Sequence, residues 1–443
     1  MESVAPKVLA LAQKKGAETA EVFLLKSREL TIEVMGQEVE NLKLSEEQGF
    51  GLRVISHNRL GYAYSSDLSE RAIQQTVERA IDNSRLVAED SNWNVAEPGN
   101  SYPELDLYDQ ETIRKPLAEK IILAKELEKA AFASDSRIRQ VEKAVYQDSS
   151  YQTALFNTRG LARNYQGTYC GLYGIAIGQE GTDAETGFSM SYALKYQDLN
   201  PFKVGQEAGE KAVRMLGAKS MPSAKIPVVF DPHVMTGVLD VLQRAFSGEA
   251  VLKGTSFLAG KEGQKVASPL VNIVDHGFLA EQVASAPFDS EGMPTAETRL
   301  INRGELQGFL HNLYTARKTG AHSTGNAVRG SYKSTPEVGT TNFYLEKGSV
   351  SPAQLLGDVK KGLYVTEVMG LHTANPISGD FSLGAAGLLI ENGKLTTPVK
   401  GIAIAGNLQE LLLGIEAIAD DLTFYVGLGS PTVRIQGLMI SGK

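Results

Sequence analysis

Hydrolysis on a metal needs imidazoles, thiolates or carboxylates that converge within coordination distance, and a sequence shows the commonest arrangement as close pairs on one helical face. The six histidines stand at 57, 233, 276, 311, 322 and 372, and no two share adjacent helical turns. The single cysteine, Cys170, lies in an alternating apolar run and reads as a small buried hydrophobe rather than a nucleophile. There is neither a G-x-x-x-x-G-K-[ST] phosphate loop nor a G-x-S-x-G nucleophile elbow. A metal site assembled from distant segments stays open, although scattered histidines are ordinarily surface or satisfied core residues.

Three loops carry more functional groups than a turn requires. Asp289-Ser290-Glu291-Gly292-Met293-Pro294-Thr295 sets two carboxylates beside a Gly/Pro turn, and by residue type alone it is a solvated hairpin. Thr324-Gly325-Asn326-Ala327-Val328-Arg329 offers a backbone turn, an amide and a guanidinium toward an extended peptide; in the plainer reading Asn326 stabilises the turn and Arg329 makes a surface pair. The segment from His372 to Ser382 gathers one imidazole, several hydroxyls and the Asp380 carboxylate, and is the strongest candidate for an interface or pocket wall.

The elements that must position these loops follow from periodicity. Val4, Val8, Leu9, Leu11 and Ala12 predict a first helix ended by Gly16. Leu30, Ile32 and Val34 alternate with polar neighbours as in a half-buried strand, and strands over 49–56 and 60–65 are joined by a turn at His57-Asn58. A helix over 70–86 follows, giving a meander with helices on one face across residues 1–91. Residues 92–110, with Pro98, Gly99, Asn100 and Pro103, read as a linker. A second α+β unit spans 111–220: a helix through Leu117, Ile121, Ala124, Leu127 and Ala131, strands over 144–155 and 161–177 with a turn at Asn157-Thr158-Arg159-Gly160, a strand through Phe188–Leu194, and a helix ending near Leu216. Both units lead into a helix through Asp-Leu-(Ser/Asn), at Asp67 and Asp198, which fits either an internal duplication or common capping chemistry.

From 221 to 443 short strands alternate with glycine turns, predicting a mainly-β domain of barrel or sandwich type, so the fold class is α+β. Two helices interrupt it: one from Asp231-Pro232 to Ser247-Gly248, and one opened by Asn407 with Glu410 as a capping box and carrying Leu408, Leu411, Leu412, Ile415 and Ile418.

Composition narrows the classes. The chain has 443 residues, 42% hydrophobic and 22% charged, an ordinary soluble balance; at roughly 100–200 residues per domain it should hold two or three domains. A formal net charge of −8 lacks the basic footprint of nucleic-acid binding. One cysteine cannot form an internal disulfide, and no leader-like segment opens the chain, so a cytoplasmic protein is expected. No stretch approaches the roughly 20 apolar residues of a membrane span.

Several segments have a recognisable order and spacing: Gly254-Thr255-Ser256-Phe257, Lys261-Glu262-Gly263-Gln264-Lys265-Val266, Asp289 to Thr295, Thr324-Gly325-Asn326, Gly379-Asp380-Phe381, Ile390-Glu391-Asn392-Gly393 and Pro398-Val399-Lys400-Gly401. More loosely, Gly49-Phe50-Gly51-Leu52-Arg53-Val54 and Gly61-Tyr62-Ala63-Tyr64-Ser65-Ser66-Asp67 extend it to nearly the whole chain. In these the chain resembles the TldD/PmbA family, once called modulators of DNA gyrase and associated with cytoplasmic proteolysis. TldD-type members carry HExxxH on the helix before the Gly-Thr-Ser segment and a cysteine near the C-terminus, which hold the metal. Counting back from Gly254, the matching positions here are Leu239, Asp240 and Arg244, so both imidazoles are missing, and Cys170 is far upstream of the late cysteine.

The resemblance is therefore to the PmbA (TldE) type. It implies a subunit without metal of its own, pairing as a heterodimer with a TldD-type chain that holds zinc, and acting on peptides or unfolded segments, with a homodimer as the state of the isolated chain. Glu291, Thr324, Gly325, Asn326, Arg329, His372 and Asp380 are its candidate substrate or interface residues. Two alternatives remain open. One is a peptidase active as a homodimer through His372, Asp380 and Glu291; the other is a gyrase-linked regulator, which the acidic charge disfavours as a direct DNA binder.

Overall fold

The computed structural model describes residues 2–99 and 101–442, and the side chain of His372 also lies outside what is described. Helix α1 (Val4–Lys14) buries Ala5, Val8 and Ala12. Strands β1 (Thr19–Met35), β2 (Glu38–Ser56) and β3 (Arg59–Ser65) follow. The turn between β2 and β3 has His57 and Asn58 at φ 50° and 56°, the left-handed pair of a tight hairpin. Strand β2 begins at Glu38, earlier than the expected Gly49: its first half is exposed, with Val39, Leu42 and Leu44 open to solvent among polar neighbours, and pairing with β1 extends it. Helix α2 (Glu70–Ser84) starts where the Ser69 hydroxyl accepts from Ala72 N at 3.3 Å.

The segment expected as a linker has no helix or strand before α3 (Gln110–Arg114), yet it is packed rather than loose. Val95, Ala96 and Leu107 are buried, and Trp93 stacks on Tyr314 with ring centroids 4.1 Å apart. Then come α4 (Leu117–Ser134), β4 (Ile138–Asn157), β5 (Ala162–Glu180), β6 (Asp183–Ala193) and α5 (Pro201–Val213), whose first turn is capped by Asn200 accepting from Lys203 N at 3.0 Å.

Strands from both units form one sheet in the order β3-β2-β1-β4-β5-β6. The seam is an antiparallel β1–β4 ladder from Glu21 opposite Asn157 to Val34 opposite Ala144, without a register shift. Each half runs helix, three strands, helix, so the halves are related by a pseudo-twofold axis through the seam. They also share a packing device. A Cβ on Gly61 of β3 would meet the Ala80 carbonyl of α2 at 1.9 Å, and one on Gly187 of β6 would meet the Ala208 carbonyl of α5 at 2.1 Å. Shared strand order and this glycine-under-helix contact favour internal duplication over coincident capping.

Helices cover one face of the sheet. On the other, Phe23 packs with Ala96, Leu155, Leu161, Phe288 and Tyr332, which seats the C-terminal region on the sheet. That region contains a five-stranded barrel in the order Lys394–Asn407, Asp380–Glu391, Lys361–Met369, β7 (Ala224–Phe230) and Val433–Ser441, closed where 403–405 pairs with 439–441. A second six-stranded sheet includes Ile273–His276, Glu297–Asn302 and Phe343–Leu345. Helix α6 (Pro232–Leu242) contributes Val234, Val238, Leu239 and Leu242 to a core shared with Phe230, Val365, Ile273 and Phe343.

Both predicted C-terminal helices are shorter than expected. The one from Asp231 stops at Leu242, tightens into a 3-10 turn over Gln243–Phe246, and restarts as α7 (Gly248–Leu252). The one at Asn407 covers Leu408–Leu413, with Asn407 accepting from Gln409 N at 2.9 Å in place of a capping box. Ile415 and Ile418 lie on a strand against Val433–Ser441, where β-branched side chains pack well. No helix among the described residues is long and apolar enough to cross a membrane.

Replacing Gly61 or Gly187 by alanine should each lower stability by about 1–3 kcal/mol through overpacking between strand and helix. Chemical denaturation measures this, and an unchanged midpoint in both variants would remove the glycine device from the argument.

Candidate functional site

Glu21 on β1 lies directly opposite Arg53 on β2, on the sheet face that meets the C-terminal region. Arg53 donates from Nη2 to Glu21 Oε2 at 2.9 Å and from Nη1 to Glu291 Oε1 at 2.6 Å. Arg329 donates to the other Glu21 oxygen, Oε1, and from Nε and Nη2 to the Ser290 carbonyl at 3.2 and 3.0 Å. Glu291 Oε2 accepts from Leu313 N at 2.8 Å, at the start of α8 (Leu313–Thr319). The side chains of Glu21, Arg53, Glu291 and Arg329 are each 0–2% exposed. Burial alone would lower the Arg53 pKa, but the carboxylates of Glu21 and Glu291 outweigh it and hold it above the ordinary arginine value.

The loop over 289–295 is thus buried, not a solvated hairpin, and Arg329 makes a buried pair rather than a surface one. Asp289 knits the loop: Oδ1 accepts from Glu291 N at 2.8 Å and Met293 N at 3.0 Å, and Oδ2 from Ala327 N at 3.0 Å. Burial first, then the nearby Glu291 charge, raises the Asp289 pKa well above the ordinary carboxylate range. Gly325 has φ +72°, and a Cβ there would meet the Pro294 carbonyl at 2.4 Å, so only glycine lets the two loops close up. The Thr324 hydroxyl accepts from His311 N at 2.8 Å and donates to His311 O at 3.1 Å. Asn326 is buried and donates to Asp275 Oδ2 at 2.6 Å and Gly339 O at 3.1 Å. Glu291, Thr324, Gly325, Asn326 and Arg329 therefore belong to one interlocked knot beneath the sheet.

Asp380 stands apart from that knot. Its exposed carboxylate accepts from the Ser378 hydroxyl at 2.7 Å and from Asn407 Nδ2 at 2.9 Å, which holds its pKa below the ordinary value. Among the described residues Glu291 and Asp380 have no partner in common. The backbone of His372 lies in the 3-10 turn Leu371–Thr373, and its side chain is outside the described residues.

On α6, Leu239 is wholly buried in the core, and the Asp240 carboxylate accepts from Gln243 Nε2 at 2.6 Å. Arg244 is exposed in the turn that follows, on a cleft of about 320 Å³ that also reaches Thr255, Gly339 and Pro376. An alkyl chain, one carboxylate and a permanent cation do not make a zinc donor set. Nor does any group of three or more His, Cys, Asp or Glu side chains among the described residues gather in a way that could hold a metal ion.

Family models for the PmbA/TldA metallopeptidase domain 1, central domain and C-terminal domain match residues 20–84, 111–216 and 223–442. Metalloprotease PmbA of Escherichia coli O157:H7 is 32% identical, over 100% of this chain and 96% of that protein. A Thermotoga maritima structure named as a modulator of a DNA gyrase superposes with a TM-score of 0.92 at 30% identity, covering 99% of this chain and 100% of that one. TldE from Thermococcus kodakarensis shares the fold at a TM-score of 0.90 and 24% identity, over 99% and 100% of the two chains. The chain belongs to the PmbA/TldD metallopeptidase family.

Glu21 and Arg53 were missed as a buried pair by sequence reasoning. The available signal was opposite charges interrupting two apolar runs, Ala20-Glu21-Val22-Phe23 and Leu52-Arg53-Val54-Ile55. Replacing Arg53 by methionine leaves two buried carboxylates short of a cation and should cost about 3–5 kcal/mol of stability, part of which the double change Arg53→Met, Glu291→Gln restores. Urea unfolding of both variants measures the recovery, and a double variant no more stable than the single would contradict the pairing.

For Asp289, a native pKa above the unfolded value means that its contribution is fully present below about pH 4 and is lost as pH rises through the raised native value. The stability of Asp289→Asn relative to the parent should therefore rise between pH 5 and pH 8. A flat difference across that range would contradict the assignment.

Proposed function

We propose that this chain is the PmbA (TldE)-type subunit of a two-chain metallopeptidase acting on peptides or unfolded segments, with zinc held by a TldD-type partner. The observation that carries this reading is α6: the family scaffold is kept around it, while Leu239, Asp240 and Arg244 supply no donor set for a metal. The activated water needed for metal-dependent hydrolysis then has to come from the partner. This chain's contribution is to complete the enclosure and to help hold an extended peptide, using the cleft between the end of α6, residues 338–340 and Pro376.

The test is to purify the chain alone and together with a TldD-type chain from the same organism, then to measure zinc content and hydrolysis of an unstructured peptide. Stoichiometric zinc and chelator-sensitive cleavage are expected only when the partner is present. Strong zinc-dependent cleavage by the isolated chain would overturn the proposal.

A further inference from the structure

Spacing on a continuous helix would pair Asp240 with Arg244, since residues four apart lie one above the other and opposite charges there attract. The structure breaks that pair. At Gln243 the chain tightens to a 3-10 turn, and no ion pair joins Asp240 to Arg244 among the described residues. Asp240 is taken instead by Gln243, whose own carbonyl oxygen accepts from the Thr340 hydroxyl. Arg244 is left with no side-chain hydrogen bond or ion pair among the described residues, and it opens onto the cleft of about 320 Å³. Arg299 in the same domain, by contrast, is held by Glu346 at 3.0 Å through both terminal nitrogens.

The lining of the cleft limits what Arg244 can meet. Lys253 adds a second cation, held by Glu249 at 2.5 Å, so the one lining carboxylate is already engaged. Glu337 lies close enough to act on Lys253, but it is not among the lining residues. Ala250, Leu310, Val338 and Pro376 supply an apolar wall, and Ile377 beside them is exposed. A free guanidinium against an apolar wall suits a carboxylate carried next to an apolar side chain, because its planar fork can bind both oxygens at once.

We propose that this cleft is a carboxylate-binding site for an extended peptide, with Arg244 as the anchoring residue. The carboxylate comes either from the peptide C-terminus or from an Asp or Glu side chain. The choice of a peptide rests on the reading of the chain as a peptide-handling subunit; the choice of a carboxylate rests on the cleft.

The probes are three fluorescent unstructured peptides titrated by anisotropy against the full chain, alone and with its TldD-type partner. One ends in leucine as a free acid, one is its amide, and one is an amide with an internal glutamate. The free acid, the glutamate peptide or both should bind at least about tenfold more tightly than the plain amide, the scale of one charge-assisted hydrogen-bond pair. Arg244→Gln should abolish that preference and Arg244→Lys should keep part of it, with thermal midpoints confirming that both variants are folded.

Preference for the free acid alone assigns the site to C-termini, and preference for the glutamate peptide alone to acidic side chains. Equal binding of all three by the parent, or an unchanged preference in Arg244→Gln, overturns the proposal. Failure of the subunit reading would show separately, as zinc-dependent cleavage by the isolated chain.

Discussion

An arginine withdrawn from water costs several kcal/mol unless its charge is matched, and the Arg53 charge is matched by Glu21 on one side and Glu291 on the other. The constraint spreads outward. Glu21 uses its second oxygen for Arg329, Glu291 uses its second for the first turn of α8, and Arg329 turns to the Ser290 carbonyl. Glu21 and Arg53 bond to each other within the sheet, but the whole set is satisfied only when the sheet and the C-terminal loops are both in place. The network therefore acts less as a source of net stability than as a condition on how the two regions dock, since a shifted arrangement leaves charges buried without partners.

The sheet supplies the platform for that docking. Its six strands are symmetric about the β1–β4 seam, and small edge-strand residues let α2 and α5 press onto one face at equivalent places. With helices occupying that face, the Glu21–Leu25 end of the other face is free to receive Phe288 and Tyr332. Smaller ties reinforce the contact. Tyr62 on β3 donates to the Tyr332 carbonyl at 2.6 Å, and Lys318 and Tyr314 on α8 both donate to Asp90. The irregular segment after α2 works as a strap across the junction, which is why it buries apolar residues despite a loop-like composition.

Helix α6 links this architecture to chemistry. Its apolar face is committed to the core between barrel and second sheet, so Leu239 has a structural role. Beyond it the chain tightens to a 3-10 turn, where Gln243 donates to Asp240 and Arg244, without an ion pair among the described residues, lines the cleft. The 289–295 and 324–329 loops, rich in functional groups, lie inside the docking knot, where the positive φ of Gly325 and the three backbone hydrogen bonds to Asp289 hold them.

Much was legible in the order of residues because its causes are local. The cap at Ser69, the proline after Asp231 and the alternation of Leu30, Ile32 and Val34 each depend on neighbours within a turn or two. The exposed half of β2 was passed over because Val39, Leu42 and Leu44 fall among polar residues without a sustained alternation, and Ile415 and Ile418 were misplaced because short apolar runs fit helix and strand alike. The residues alone determined the fold class and the family resemblance. Tertiary structure decided that Glu21, Arg53, Glu291 and Arg329 are inside and together, and that Arg244 is exposed without an ion pair among the described residues. Arg53 and Glu291 are 238 residues apart in sequence, and whether a charge is buried depends on what covers both faces of its strand, which no local pattern encodes.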